Sequence, residues 1–131
     1  MRLHPNIAIV RRFYHAFISR DTQMLWTIAG EDLAFHVPGR SQWAGEHRGR
    51  EKLLELFYKL GEAADRSVRL TLHDIVGGEK HVVGLHHANA TIPGKKPLDL
   101  NGTATCHVDN GKIVEVWLNW ESQRAFDDFW G

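Results

Sequence analysis

One histidine and one aspartate, His86 and Asp99, form the pair in this sequence that is best suited to acid–base chemistry. The Pro93-Gly94 turn between them separates two stretches that predict neighbouring antiparallel strands. Folding the chain about this turn places the two side chains nearly opposite each other, with Cβ atoms about 4.5–5.5 Å apart. At that range a carboxylate orients an imidazole, so the pair could act as general acid or base on an enolisable carbonyl. The alternative is an ordinary cross-strand polar pair without a catalytic role.

The second of these strands carries more polar side chains on the face of Asp99. Residues 98–108 alternate strictly, with apolar or small residues at even positions and polar residues at all odd positions. Asn101 and Thr103 share the polar face, where they could hydrogen-bond a substrate carbonyl or its enolate, or satisfy each other. Asn110-Gly111 then predicts a hairpin, because a type I′ turn requires positive φ at both central residues.

The elements that must position these residues follow from hydrophobic spacing and from capping residues. We predict a first helix capped by Asn6, a second between Asp21 and Gly30, and a third from near Arg50 to Gly61. Strands are predicted at 33–37, 68–76, 81–92, 98–108 and 112–120, a loop at 40–49 and a short helix at 123–130. Helices separated in sequence from a mostly antiparallel sheet predict the α+β class.

Composition limits the function classes. A chain of 131 residues predicts a single domain over 1–131. Lys plus Arg equals Asp plus Glu at 16 each, so no overall charge directs the protein to nucleic acid or to an anionic membrane. The N-terminal residues 1–6 show no apolar signal region, and the single cysteine cannot form an internal disulfide. We therefore expect a cytoplasmic protein without nucleic-acid or membrane partners.

Nine histidines raise the question of a metal site, but their spacing does not favour one. His86 and His87 are adjacent on a predicted strand and therefore point to opposite faces. The sequence contains no His-x-His or Cys-x-x-Cys motif. Cys106 lies on the apolar face of its strand and is expected to be a buried small residue rather than a nucleophile. We expect neither a metal nor another cofactor.

Several segments, taken together and in order, resemble the SnoaL-like branch of the NTF2-like superfamily, which also contains the ketosteroid isomerases. The resemblance covers almost the whole chain and implies a cone: three N-terminal helices packed on a curved, mostly antiparallel sheet, with a short C-terminal helix. It also implies a cavity under the concave face and a homodimer through the convex face. The segments are Phe13-Tyr14-His15-Ala16-Phe17, Val37-Pro38-Gly39, Ala44-Gly45-Glu46-His47-Arg48-Gly49-Arg50-Glu51, Asp109-Asn110-Gly111-Lys112-Ile113-Val114-Glu115-Val116-Trp117 and Asp127-Asp128-Phe129-Trp130.

The resemblance implies which faces line the cavity. Aligned with ketosteroid isomerase, the polar face with Asp99, Asn101 and Thr103 faces the cavity, together with His86. The alternative is that the even, apolar positions of this strand face the core and its polar side chains face solvent. The apolar positions of the same strand would then lie near the dimer interface; they are Leu98, Leu100 and Ala104. Apolar walls are expected from Trp26, Tyr58, Leu118 and Trp120. Tyr58 is preferred to Tyr14 as the cavity hydroxyl, because it matches a cavity tyrosine of the isomerases.

The same alignment argues against steroid isomerisation by the known mechanism. That mechanism needs a carboxylate base and, as hydrogen-bond donors, a tyrosine and a protonated aspartate; it is a standard worked case of pKa tuning. The matching positions here are Val37, Phe13 and Thr103. Valine cannot accept a proton and phenylalanine cannot donate a hydrogen bond. The isomerase mechanism is therefore not expected.

Three functions remain open at this point. The leading hypothesis is a cofactor-free isomerase, cyclase or dehydratase that performs acid–base chemistry on a small hydrophobic carbonyl compound. In it, His86 transfers the proton, Asp99 orients His86, and Asn101, Thr103 and Tyr58 polarise the substrate. The second is a non-catalytic carrier of an apolar small molecule. The third is a dimeric interaction module whose interior is filled by its own side chains.

Overall fold

The computed structural model of the chain describes residues 4–131. Residues 1–3 lie outside this range. They belong to the predicted domain and to the N-terminal segment that argues against a signal peptide. The helices are α1 (Pro5–Ser19), α2 (Thr22–Ile28), α3 (Arg50–Ala63) and α4 (Gln123–Trp130). The strands are β1 (Ala29–Val37), β2 (Gly45–Arg48), β3 (Arg69–Gly77), β4 (His81–Ala90), β5 (Leu98–Asp109) and β6 (Lys112–Trp120).

The six strands form one curved, open sheet in the order β2-β1-β6-β5-β4-β3. All neighbouring strands are antiparallel except β1 and β6, which pair in parallel. Helices α1 and α3 lie against the concave side, and α4 closes over β5 and β6. This arrangement confirms the predicted α+β class and the NTF2-like cone.

Local signals account for most of the element ends. The Asp21 side chain accepts a hydrogen bond of 3.0 Å from the backbone N–H of Met24 and so caps α2, as predicted. Helix α1 is capped by His4, whose Nδ1 accepts from the N–H of Asn6, so the predicted Asn6 cap is wrong. Pro5 explains the difference: its fixed φ suits the first helical position, which places the cap at His4, two residues earlier than predicted.

The hairpin between β5 and β6 forms as predicted. Asn110 and Gly111 have φ values of 49° and 75°, the left-handed geometry that a type I′ turn requires. The predicted loop 40–49 was only partly right, because β2 forms within it and pairs with β1. Helix α2 also ends before Gly30, which lies inside β1.

The register between β4 and β5 differs from the prediction. Seven residues, 91–97, separate the two strands, so the chain folds back further along than the Pro93-Gly94 turn suggests. His86 therefore pairs with Gly102, and Asp99 pairs with Asn89. The predicted His86–Asp99 pair is wrong, because an odd shift in register sends one of the two side chains to the opposite face.

The apolar side of β5 consequently faces the core of this chain. Leu98, Leu100 and Ala104 are only 5%, 6% and 3% exposed, packed against the helices. Their predicted place at a dimer interface is wrong: the even positions of β4 and β5 share the concave face, and the odd positions share the convex face. Within residues 4–131, no helix is both long and apolar enough to cross a membrane.

Candidate active site

A small cavity of about 90 Å³ lies inside the cone, between the concave face of the sheet and the helices. Its walls are almost entirely apolar and aromatic, and Tyr14 and His86 are its only residues with titratable side chains. At roughly 30 Å³ for each water molecule, the space suits about three waters or one small functional group of a ligand. The lining residues are Phe13, Tyr14, Phe17, Phe35, Val37, Leu56, Phe57, Leu60, Val68, Leu70, His86, Ala88, Leu98, Leu118, Trp120, Phe126 and Trp130.

Tyr14 and His86 form a hydrogen-bonded pair in this cavity. The Tyr14 hydroxyl lies 2.6 Å from Nδ1 of His86, and both residues are 3% exposed. Within residues 4–131 the hydroxyl has no other hydrogen-bond partner, and in one of the two tautomers of the neutral imidazole it donates to Nδ1. The remaining proton of the neutral imidazole is then on Nε2.

Two glycines on the concave face make room for the aromatic rings on either side of His86. A Cβ atom added at Gly84 would lie 2.6 Å from Cζ of Tyr14, and one added at Gly102 would lie 2.5 Å from Cε3 of Trp120. Real Cβ atoms do not approach other heavy atoms so closely, so these rings lie directly on the strand backbone. The strands thus place Tyr14 and Trp120 against His86, with the His86 and Trp120 ring centroids 5.2 Å apart.

Burial sets the protonation of both members of the pair. The loss of solvent lowers the pKa of His86 from 6.5 to about 4, and the nearby charges of His73 and His87 act in the same direction. Burial also raises the pKa of Tyr14 far above its ordinary value, with a smaller contribution from Cys106. At neutral pH, therefore, the imidazole is uncharged and the phenol keeps its proton.

Three polar nitrogen atoms of the cavity-lining residues have no partner among residues 4–131. They are Nε2 of His86 and the indole Nε1 atoms of Trp120 and Trp130. Buried donors are normally hydrogen-bonded, and an unpaired one costs free energy. A ligand oxygen, or water held in its place, would satisfy these N–H groups. The arrangement can therefore bind the carbonyl end of a hydrophobic molecule.

The polar residues predicted on β5 lie on the other side of the sheet. Asp99, Asn101 and Thr103 occupy odd positions and face outward, away from the cavity. Asp99 hydrogen-bonds Nε2 of His87, and Asn101 Oδ1 lies 2.7 Å from Nδ1 of the same ring. The contacts with Asn101 and Asp99 raise the pKa of His87 above its ordinary value. The predicted cavity roles of these three residues are wrong, because the apolar face of β5 is the one that the helices cover.

The other predicted cavity residues divide into two groups. Leu118 and Trp120 lie on the cavity wall. Tyr58 is 69% exposed on the outer side of α3, and Trp26 is 40% exposed with its ring 4.2 Å from the guanidinium carbon of Arg50. Neither lines the inner cavity, where Tyr14 supplies the hydroxyl that was predicted for Tyr58. Tyr58 instead lines an open groove between α1, α3 and β3, and Trp26 lines neither space.

Sequence reasoning missed Trp130 and the two glycines, and it ranked Tyr14 behind Tyr58 as the cavity hydroxyl. Tyr14 shares the apolar face of α1 with Val10 and Phe17, which marks it as a core residue but does not reveal its partner. Gly84 and Gly102 were the available signal, since a glycine inside a strand often marks a close approach by another group. Among residues 4–131, no cluster of three or more histidine, cysteine or acidic side chains could hold a metal ion.

Comparisons with known proteins agree with this architecture. The chain is 31% identical to Bal32a from a soil-derived mobile gene cassette, with 96% of each chain covered and a TM-score of 0.91. It is 26% identical over 126 residues to an uncharacterised protein of Mycobacterium tuberculosis, with 95% of each covered. TerC, co-crystallised with polyporic acid, shares the fold at 17% identity, with a TM-score of 0.83 over 95% of this chain and 97% of that one. The SnoaL-like domain family matches residues 10–116, and the chain therefore belongs to the SnoaL-like family.

Proposed function

We propose that the protein is a cofactor-free acid–base enzyme that acts on a hydrophobic carbonyl compound, with His86 as the group that transfers the proton. The observation that carries the proposal is the buried Nε2 of His86, unpartnered at the cavity wall, with Tyr14 bonded to the opposite nitrogen. Tyr14 takes the orienting role that the sequence suggested for Asp99. Isomerisation and cyclisation of the kind performed by SnoaL-like enzymes are the reaction classes that this site supports.

The hydrogen bond between Tyr14 and His86 can run in either direction, which gives the imidazole two uses. When the hydroxyl donates, Nε2–H donates to the carbonyl oxygen of a bound substrate. When Nδ1–H donates to the hydroxyl oxygen, Nε2 has a free lone pair and can remove the acidic α-proton. The C–H bond then breaks, an N–H bond forms, and the electron pair moves onto the carbonyl oxygen as an enolate.

The enolate needs hydrogen-bond donors, and the indole N–H groups of Trp120 and Trp130 are available on the same cavity wall. The imidazolium returns its proton to a different carbon in an isomerisation. In a cyclisation the enolate carbon attacks a second carbonyl, and the proton goes to the new alkoxide. Neither route consumes an oxidant, a reductant or a metal.

A carrier without catalysis is the second candidate, and the apolar lining favours it. The cavity walls offer a hydrophobic surface, and the neutral state of His86 suits an uncharged ligand. TerC, which shares the fold, was crystallised with a small molecule, which is compatible with either function. The two candidates differ in whether His86 exchanges a proton with the ligand.

Hydrogen–deuterium exchange at the methyl group of 2-acetylnaphthalene, followed by NMR in D₂O, tests this difference. We expect wild-type protein to accelerate the exchange and His86→Gln to slow it by about 100-fold, which is typical for the loss of a general base. His87→Gln is the matched control, because the neighbouring ring lies on the opposite face. Binding of the ketone with no accelerated exchange would favour the carrier, and equal exchange in wild type and His86→Gln would contradict the enzyme.

Assembly and location belong to the proposal as well. We propose a homodimer through the convex face, now with the odd positions of β5 at the interface in place of Leu98, Leu100 and Ala104. Sedimentation at micromolar concentration tests it, and a monomer there would contradict the dimer. Residence in the cytoplasm remains a prediction from the sequence.

A further inference from the structure

An open groove of about 590 Å³ adjoins the inner cavity. It lies between the C-terminal ends of α1 and α3 and the start of β3. The groove and the cavity share five apolar wall residues, so the groove forms the outer part of the same binding space. The shared residues are Phe17, Phe57, Leu60, Val68 and Leu70. Because the inner cavity admits only one small group, the body of a larger ligand would lie in the groove.

Positive charge surrounds the outer end of this groove. Arg20, Arg66 and Arg69 line it, and Glu62 is the only acidic residue among its lining residues. Arg66 forms an ion pair with Glu62, with Nη2 of Arg66 3.4 Å from Oε1 of Glu62. Arg20 and Arg69 instead donate to backbone carbonyls: both to that of Arg66, at 3.4 Å and 2.9 Å, and Arg69 also to that of Val68, at 3.0 Å. Within residues 4–131, neither of these two guanidinium groups has a carboxylate within 4 Å.

The backbone at the outer end of the groove, here called the rim, also has an unusual conformation. Arg20 and Arg66 have φ values of 58° and 59°, in the left-handed region that normally favours glycine or asparagine. Arg20 is the C-terminal cap of α1, and its N–H bonds the carbonyls of Ala16 and Phe17. A strained backbone conformation in a residue with a long charged side chain suggests that the side chain itself is needed there.

The two rim arginines lie about the same distance from the proton-transfer pair along two different elements. Arg20 follows Tyr14 by six residues on α1, a rise of about 9 Å at 1.5 Å for each residue. Arg69 precedes Leu72 by three residues on β3, and Leu72 pairs with His86, which gives about 10 Å along the strand. Both paths lead from the inner cavity to the same end of the groove.

We infer that the ligand carries an oxyanion at the end remote from its reactive carbonyl, and that Arg20 and Arg69 bind this oxyanion. The inference rests on the proposed function, because it assumes that the carbonyl end enters the cavity beside His86. The ligand class is therefore a rigid, apolar, ring-containing acid, such as a carboxylate or sulfonate, with the acid group at the mouth. Two guanidinium groups sharing one carbonyl still have N–H donors free for such a group.

A matched pair of fluorescent probes tests the charge directly. 8-Anilinonaphthalene-1-sulfonate and N-phenyl-1-naphthylamine have the same aromatic body, and only the first carries an anion. We expect wild-type protein to bind the sulfonate about three- to tenfold more tightly, a modest preference because exposed ion pairs are weak. The preference should shrink in 0.5 M NaCl, since salt screens exposed charges.

Variants test whether Arg20 and Arg69 cause the preference for the sulfonate probe. Arg20→Gln and Arg69→Gln should each weaken sulfonate binding about threefold and leave the neutral probe unchanged. Arg12→Gln removes the same charge from an exposed position of α1 outside the groove and should change neither probe. Trp120→Ala should weaken both probes, because it alters the apolar wall.

The outcomes separate this inference from the proposed function. Equal binding of the two probes, or equal weakening of both by Arg20→Gln, would overturn the oxyanion site and leave the His86 chemistry standing. Failure of both probes to bind would overturn the accessible cavity, and the proposed function with it. A sulfonate preference that Arg20→Gln and Arg69→Gln remove, in a protein without ketone exchange, would keep the oxyanion site and favour the carrier.

Discussion

His86 and His87 are adjacent in the sequence, yet they occupy opposite environments on the two faces of β4. His86 is 3% exposed under the helices, bonded to a phenol, and burial lowers its pKa to about 4. His87 lies on the convex face between Asn101 and Asp99, and these oxygen acceptors raise its pKa. Strand alternation alone therefore shifts the pKa of the same residue type in opposite directions.

The difference shows that the concave face encloses a candidate site and that the convex face carries polar pairs on the surface of the chain. The convex face pairs histidines with acidic side chains, as His36 also does with Glu115 at 2.6 Å. At His87 the two contacts occupy both ring nitrogens and favour the charged imidazole. The concave face leaves one nitrogen of His86 without a partner in an apolar enclosure, where a ligand can compete for it.

Gly84→Ala should have the largest effect, because it disrupts the packing around His86 on the concave face. The new methyl group would overlap the Tyr14 ring and force it away from His86. We expect a loss of about 3 kcal/mol in the free energy of unfolding, as for other overpacked cores, and loss of the His86-dependent exchange. Urea unfolding measures the first and NMR exchange the second.

Gly78→Ala is the matched control for this variant. A Cβ at Gly78 meets no heavy atom within 4 Å, so stability should change by less than about 0.5 kcal/mol. Equal destabilisation by the two substitutions would show that the close approach of Tyr14 to β4 is not important for stability.

The burial of His86 should make the protein less stable in acid. Folding lowers its pKa from 6.5 to about 4, so the unfolded chain binds more protons between these values. The free energy of unfolding therefore falls as pH decreases through this window, by about 3 kcal/mol in total, and this group contributes no slope above pH 6.5. Urea titrations between pH 7 and pH 4.5 measure the slope.

His86→Gln should remove this part of the pH dependence, and His87→Gln should retain it. A slope that survives in His86→Gln would assign the acid sensitivity to other groups. NMR titration of the His86 ring gives an independent check, with a neutral imidazole expected at pH 6.

The sequence predicted the elements better than it predicted the site, for a physical reason. The spacing of hydrophobic residues and the residues that form turns are local features of the sequence. The helices, the Asn110-Gly111 hairpin and the α+β class could therefore be recognised. The site depends on the register between β4 and β5, which the length of segment 91–97 sets. The actual register pairs Asp99 with Asn89, and the carboxylate of Asp99 therefore contacts the ring of His87 instead of that of His86.

Tyr14 shows a second limit. Its spacing on α1 predicts burial, but its bond to His86 joins residues 72 positions apart and needs the whole cone to form. Tyr58 matched an isomerase tyrosine in the alignment but points to the outside of α3, where it is 69% exposed. A resemblance can identify a family without placing a particular side chain in its cavity.

Tyr14→Phe should have an intermediate effect on stability and tests the role of the hydroxyl beside His86. It keeps the ring on Gly84 but leaves Nδ1 of His86 buried without a donor, which should cost about 1–2 kcal/mol of unfolding free energy. Proton exchange should also slow, because nothing then orients the imidazole. Tyr58→Phe is the control on an exposed hydroxyl and should change stability by less than about 0.5 kcal/mol. Similar losses in the two variants would contradict a specific role for the Tyr14 hydroxyl.

Asp99→Asn tests the convex side and should have the smallest effect. The substitution removes one of the two contacts that raise the pKa of His87, so NMR titration of that ring should show a lower pKa. A raised histidine pKa stabilises the fold below pH 6.5, and this contribution is lost as pH rises through the folded value. The variant should therefore lose a little stability in acid and none at pH 8.

The same variant separates the two faces functionally. Because Asp99 lies across the sheet from the cavity, ketone exchange and probe binding should match wild type. Asn101→Ala, which removes the other contact to His87, should behave alike and serves as its companion. Loss of exchange in Asp99→Asn with an intact fold would mean that the carboxylate acts on the ligand after all. The reaction would then have to take place on the convex face, and His86 would be only a buried core histidine.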